Sequence, residues 1–168
     1  MKRKPYITEG HLLLERIGYL LLLGAFAVCA ETAITSDGKI ATHFDIYGTP
    51  DGYGSPLVML ILPLTMLVLN VLISVLIRKT PPEKMNMPFE MKPENADAVM
   101  TEVSGMLFWL EIEMAAFALA EVLMWSNGKS SLWNALLLIA ALLLTIVWST
   151  VRMVKANKRT EKDSKHGV

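Results

Sequence analysis

Four long apolar runs, separated by short polar stretches, dominate the pattern of the chain. The runs cover residues 17–33, 57–77, 104–125 and 132–151. A transmembrane helix needs about twenty predominantly apolar residues, and a helix satisfies its own backbone hydrogen bonds inside lipid. Each run is long enough for one crossing. The pattern therefore predicts an all-α membrane protein of one domain, a bundle of four transmembrane helices in a lipid bilayer.

The basic residues are distributed unequally around these runs. The chain has 16 Lys and Arg residues. Only two of them lie between the first and second runs or between the third and fourth runs, namely Lys39 and Lys129. The others lie before the first run, between the second and third runs, or after the fourth run. Basic residues concentrate on the cytoplasmic side of a membrane. We therefore expect a multi-pass protein of the bacterial cytoplasmic membrane. Both termini, a loop over residues 78–103 and a tail over residues 152–168 are cytoplasmic, and an ordered loop over residues 34–56 is extracellular.

Composition and motifs narrow the classes of function. The formal net charge is zero, which argues against a nucleic-acid partner, because phosphate backbones are bound by basic surfaces. The chain has one cysteine, so it can form no internal disulfide and no paired-cysteine metal site. It contains no nucleophile elbow, phosphate-binding glycine loop or HExxH sequence. An enzyme is therefore not favoured, although a hydrolase built from outer carboxylates and a histidine stays an alternative.

The predicted outer loop contains the stretch "HFDIYGTPDGYGSP", residues 43–56. Its density of Gly, Pro and Asp-Gly is typical of tight turns, and we expect positive φ at Gly48, Gly52 and Gly54. Phe44 and Tyr53 are suited to anchoring at the depth of the lipid headgroups. The first interpretation is an ordered cap over the helices.

Two further interpretations of the same loop give it a ligand. His43, Asp45 and Asp51 offer an imidazole and two carboxylates, a set that can hold zinc or a related divalent metal. The spacing is not that of a known metal motif. Alternatively, the loop recognises an extracellular peptide or a lipid headgroup.

Three glutamates interrupt the third apolar run. Carboxylates are costly in hydrocarbon and usually face a bundle interior or water. Glu121 lies near the outer surface, at the depth of Glu31 in the first run. We therefore predict an outer polar cluster that is formed by five residues, Glu31, His43, Asp45, Asp51 and Glu121.

The other two glutamates, Glu111 and Glu113, lie near the middle of the bilayer. Glu113 is expected to pair with Asn70 of the second run, with Thr65 and Thr145 as other candidate partners, and Glu111 has no predicted partner. One interpretation is packing around a protonated carboxyl group. The other is a pathway for protons or ions.

The loop also resembles the signature of an uncharacterised bacterial membrane domain, the domain of unknown function 1648. The matching positions occur in order: His43, Phe44, Asp45, Gly48, Pro50, Asp51, Gly52, Tyr53 and Gly54. The same domain occurs in the SdpI family, whose name-giving member is an immunity protein against a secreted peptide toxin. The resemblance covers residues 17–77, and the Gly-x-Arg-Thr motif usual in the second half of SdpI-type proteins is missing.

Three hypotheses of function follow. The resemblance implies immunity or protection against envelope stress, with recognition of an extracellular peptide or lipid and a cytoplasmic regulator as a further partner. The second is a small proton- or ion-coupled transporter or transporter subunit, a homo-oligomer with Glu113 and Asn70 on its path. The third is a metal-binding protein at the outer face.

Overall fold

The computed structural model describes residues 4–158 and consists of four long helices and one β-hairpin. The helices are α1 (Glu9–Thr35), α2 (Ile61–Lys79), α3 (Ala96–Ser126) and α4 (Leu132–Asn157). Between α1 and α2 lies an antiparallel hairpin of β1 (Ile40–Phe44) and β2 (Pro50–Gly54). Short 3-10 helices cover Pro56–Leu60, Pro82–Lys84 and Pro93–Asn95. The all-α prediction therefore holds for the bundle and missed the hairpin.

Helix α3 is the central helix of the bundle, because it packs against α1, α2 and α4, whereas α4 packs mainly on α3. The hairpin and the α3–α4 turn (residues 127–131) lie at one end, which we call the hairpin end. Helices α1 and α3 begin, and α2 and α4 end, at the opposite end, which we call the basal end. Buried apolar clusters fill both ends and the middle of the bundle.

The surface of the bundle is more apolar than that of a soluble bundle, and several polar side chains are buried. Asn70, Ser74, Ser104 and Glu111 are buried, whereas α2 and α4 expose rows of Leu, Ile and Val. Within the described residues, three helices are long and apolar enough to cross a membrane: Glu9–Thr35, Pro56–Lys79 and Leu132–Asn157. Large exposed apolar surfaces mark contact with lipid or a partner. The fold fits a helical membrane protein.

The helices extend beyond the apolar runs that predicted them. Helix α1 begins at Glu9, because Thr8 caps it with a reciprocal pair of hydrogen bonds to His11. Helix α3 begins at Ala96, directly after Pro93–Asn95, and not near residue 104. Hydropathy marks the part of a helix that suits lipid, whereas caps decide where the helix ends.

The segment between α2 and α3 is shorter and better packed than the predicted loop over residues 78–103. Four of its apolar side chains pack against the cluster at the basal end: Met85, Met87, Phe89 and Met91. Asn157 at the end of α4 accepts from the Lys92 N–H at 2.8 Å and donates to the Glu90 carbonyl at 2.9 Å. The predicted tail continues α4 as far as Asn157. From residue 159 onward it lies outside the described residues, as do Lys2 and Arg3.

Candidate functional site

The hairpin depends on glycines that let its two strands approach closely. His43 pairs with Gly52 across the strands. A Cβ atom at position 52 would lie 2.9 Å from the His43 Cβ, and one at position 54 would lie 3.1 Å from Thr42 Cγ2. The expected positive φ occurs at Gly48 and is wrong for Gly52 and Gly54. Those two glycines make room for a neighbouring strand rather than for an unusual backbone.

Asp45 organises the turn between the strands. Its Oδ1 accepts the backbone N–H of Tyr47 at 2.9 Å and that of Thr49 at 2.8 Å. Gly48 follows with a φ of +81°, and its N–H donates to the Asp45 carbonyl at 3.0 Å. An aspartate that bonds its own backbone in this way is the usual means of fixing a tight turn. The carboxylate is thereby held at the hairpin tip.

The hairpin tip rests on the end of α3 and on the α3–α4 turn. Phe44 stacks on Trp125 of α3, with ring centroids 6.5 Å apart. The backbone of Gly48 lies against the Ser130 carbonyl in the α3–α4 turn. The hairpin tip is thus held by two contacts, Phe44 on Trp125 and Gly48 on Ser130. We call the tip the roof, because it covers a cavity between the hairpin and the helices.

A cavity of about 310 Å³ lies beneath this roof. The hairpin contributes Phe44, Asp45 and Ile46, α3 contributes Phe117 and Glu121, and the remaining wall comes from the α3–α4 turn and the start of α4. Glu121 is only 8% exposed. Two carboxyl groups and several apolar side chains therefore line one open cleft, which has the composition of a site for a cation with an apolar body.

The five residues of the predicted outer cluster are divided between several places. His43 Nδ1 contacts the Asp51 carboxyl group across the hairpin, and both side chains are exposed. Asp45 and Glu121 line the cavity. Glu31 lies exposed on α1. Tyr53 is also exposed, on β2.

The geometry gives no support to a metal at His43, Asp45 and Asp51. Asp45 Oδ1 is occupied by two backbone N–H groups, while Asp51 contacts the His43 ring. Within residues 4–158, no three His, Cys, Asp or Glu side chains lie close enough together to hold a metal ion.

The polar residues inside the bundle pair differently from the prediction. Asn70 donates to the backbone carbonyl of Glu111 at 3.5 Å, and no hydrogen bond joins it to Glu113 among the described residues. Glu113 instead accepts from the Thr145 hydroxyl of α4, the alternative partner. Positions two residues apart are separated by about 200° around a helix, so Glu111 and Glu113 face different neighbours.

Sequence reasoning missed a buried polar network at the basal half of the bundle. Glu15 of α1 forms an ion pair with Arg78 of α2, with Oε2 and Nη2 2.6 Å apart. Ser74 donates to Glu15 Oε1 at 2.6 Å and also contacts Glu111. The signal in the sequence was the presence of opposite charges near the same end of the first two apolar runs.

Comparison with known families matches residues 37–67 to a family described as a domain of unknown function (DUF1648). The matched segment contains the hairpin, the 3-10 helix Pro56–Leu60 and the first turns of α2. No curated protein and no solved structure matches the chain. The matched family region thus includes the roof of the cavity.

Proposed function

We propose that this protein is an SdpI-like integral membrane protein that protects the cell by binding a secreted, basic peptide at its hairpin end. In this proposal all four helices cross the bacterial cytoplasmic membrane, both termini are cytoplasmic, and the hairpin faces outward. The unequal distribution of Lys and Arg supports the orientation. The central position of α3 supports a fourth crossing, because its neighbours shield Glu111 and Glu121 from lipid.

One observation carries the proposal: Asp45 of the hairpin and Glu121 of α3 line the same cavity. Carboxyl groups on two separate elements favour a cationic ligand group, because the described residues of the cavity wall include no Lys or Arg. The distance between the two elements is fixed by the contacts of Gly48 and Phe44. The cavity is therefore preorganised for such a group.

The apolar part of the wall favours a peptide side chain over a free small cation. Phe44 and Phe117 can pack against the methylene stem of a Lys or Arg whose charged head reaches the carboxylates. Ile46 and Tyr47 are 78% and 86% exposed at the hairpin tip. They offer an apolar surface beside the cavity for the remainder of an amphipathic peptide.

The test compares survival of cells that lack the gene and carry a plasmid copy of the wild type, Glu121→Gln or Glu113→Gln. The cells are challenged with cationic amphipathic peptides of Lys and Leu. We expect wild type and Glu113→Gln to restore growth and Glu121→Gln to fail, because Glu113 faces α4 outside the cavity. Immunoblots of the membrane fraction establish equal amounts of the three proteins.

Equal protection by Glu121→Gln and wild type would contradict the proposal. Binding to purified protein in nanodiscs distinguishes a peptide from a lipid as the ligand. We expect the peptide to change the Trp fluorescence of wild type and not of Glu121→Gln. A response to ethanolamine lipid alone, with none to peptide, would instead assign the cavity to a lipid headgroup.

A further inference from the structure

A chain of buried and partly buried polar side chains connects three helices in the basal half of the bundle. Ser74 Oγ of α2 lies 2.6 Å from Glu15 Oε1 of α1 and 3.2 Å from Glu111 Oε1 of α3. Glu15 Oε2 lies 2.6 Å from Arg78 Nη2. The atoms form a continuous series from Glu111 through Ser74 to the ion pair of Glu15 and Arg78.

The number of protons available for these hydrogen bonds indicates that the Glu111 carboxyl group is protonated. A serine hydroxyl has a single proton, so Ser74 can donate to only one of its two carboxyl neighbours. The shorter contact is the one to Glu15, which also accepts from the Arg78 guanidinium and is therefore the ionised carboxylate. The contact between Ser74 and Glu111 then needs a proton from Glu111, whose carboxyl group donates to Ser74 Oγ.

Burial leads to the same assignment. Glu111 is 0% exposed, and its Oε2 has no hydrogen-bond partner among the described residues. An ionised carboxylate with a bare, buried oxygen would carry a large desolvation cost, whereas a neutral acid leaves only a carbonyl-type oxygen unpaired.

Among the described residues, no Lys or Arg forms an ion pair with Glu111. Glu15 and Arg78 neutralise each other, and Arg152 of α4 pairs with Glu102 of α3. Glu113 lies on the α4 side of α3, where it contacts Thr145. His11 of α1 lies one helical turn nearer the basal end than Glu15, and the centroid of its ring is 5.8 Å from that of the Phe108 ring. An ionised Glu111 would therefore add an uncompensated negative charge beside Glu15.

We propose that Glu111 is a proton-binding site inside the membrane and that Ser74 and Glu15 form its path to water at the basal end. Glu111 gives its proton to Ser74 Oγ while the Ser74 hydroxyl proton passes to Glu15 Oε1. This leaves the hydroxyl intact, Glu111 ionised and Glu15 neutral, with no change in total charge. Glu15 then releases the proton to water, and the reverse sequence reloads Glu111.

The gradient of exposure supports the direction of this path. The Glu15 and Arg78 side chains are 13% and 27% exposed, whereas Glu111 is fully buried. The Glu15 end of the series therefore reaches the surface of the bundle, whereas the Glu111 end does not. The inference goes beyond peptide recognition, since it uses none of the residues of the hairpin cavity.

Infrared spectroscopy of the full-length protein in nanodiscs tests the site at neutral pH. We expect a C=O stretching band of a protonated carboxyl group in wild type that is lost in Glu111→Gln. The band should persist in Glu102→Gln, the matched control, because Glu102 is ion-paired with Arg152. A wild-type spectrum without the band, or a band of unchanged intensity in Glu111→Gln, would overturn the site.

Transfer to D₂O tests the path. We expect the band to shift more slowly to its deuterated position in Ser74→Ala and Glu15→Gln than in wild type, and at the wild-type rate in Glu102→Gln. Unchanged exchange in Ser74→Ala would overturn the path. If Glu111→Gln fails to fold, the frequency of the band in Ser74→Ala tests the assignment instead. Loss of the hydrogen bond between Glu111 and Ser74 should shift the band. An unshifted band would refute the assignment.

Discussion

Gly48 of the hairpin lies so close to Ser130 of the α3–α4 turn that a Cβ atom at position 48 would overlap the Ser130 carbonyl oxygen. Real Cβ atoms do not approach a backbone oxygen so closely, so only glycine fits without displacement. The φ of +81° at Gly48 also favours glycine, because residues with a Cβ atom rarely adopt a positive φ. The close approach to Ser130 and the positive φ therefore each require glycine at position 48. This glycine contact joins the hairpin to the turn between α3 and α4, the two helices that line the cavity.

Gly48→Ala should detach the hairpin tip from the α3–α4 turn. Gly38→Ala is the matched control, because Gly38 has the same φ of +81° but nothing within 4 Å of the place that a Cβ atom would take. Both substitutions carry a backbone cost of about 1–2 kcal/mol, and only Gly48→Ala adds a clash. Spin labels at positions 47 and 133 should give a broader, longer distance distribution in Gly48→Ala than in Gly38→Ala. Identical distributions would show that the contact does not hold the roof.

The His43–Asp51 contact at the hairpin end and the Glu15–Arg78 ion pair at the basal end should differ in their contribution to stability. The His43–Asp51 pair is exposed, and Asp51→Asn should lower the free energy of unfolding by less than about 1 kcal/mol. Glu15→Gln leaves the Arg78 charge without its partner in a partly buried place, so its cost should be larger, up to about 3 kcal/mol. Thermal unfolding in one detergent measures both. A larger loss for Asp51→Asn would reverse this ranking.

The apolar pattern predicted the helical bundle well, because a run of about twenty apolar residues leaves the backbone few alternatives in lipid. It could not predict the hairpin, since Gly52 and Gly54 are read as turn residues and their role depends on the facing strand. The same limit applies to the cavity. Asp45 and Glu121 are far apart in the chain, and the contacts of Gly48 and Phe44 bring them together.

The hydrogen-bond partners of Glu111 and Glu113 inside the bundle could not be predicted from the sequence either. The spacing of Glu111 and Glu113 fixes the angle between them but not the rotation of α3 against its neighbours. Because α3 is surrounded, either glutamate could have faced Asn70. The structure turns Glu111 toward α1 and α2 and Glu113 toward α4.

Asn157→Ala should release the segment between α2 and α3 from the end of α4. The substitution removes the bond from the Lys92 N–H and the bond to the Glu90 carbonyl. Each is worth about 1 kcal/mol. Hydrogen exchange should rise over residues 85–92 and stay unchanged in the hairpin. Asn127→Ala is the control, because among the described residues its side-chain amide donates only to Leu123 and Ser126, in the last turn of α3 at the hairpin end. Unchanged exchange over residues 85–92 would mean that the methionine contacts alone hold the segment.

Tyr6 should make the stability of the basal end depend on alkaline pH. Burial, followed by the nearby charges of Asp97 and Glu83, raises the pKa of the Tyr6 phenol above its ordinary value of 10.0. The buried hydroxyl donates to the Ile77 carbonyl at the end of α2, at 3.4 Å. The neutral phenol is therefore the form that the folded protein prefers.

The direction of the pH dependence follows from this raised pKa. Below about pH 10 the phenol is neutral in both the folded and the unfolded chain, and its stabilising contribution is complete. Above that pH the unfolded chain loses the proton first, so the free energy of unfolding falls until the folded pKa is passed. Tyr6→Phe should lower stability by about 1 kcal/mol at pH 8 and flatten the decline above pH 10. Tyr47→Phe, at an exposed site, is the control and should retain the wild-type decline. Parallel curves for wild type and Tyr6→Phe in thermal unfolding between pH 8 and pH 11 would refute a role for this phenol.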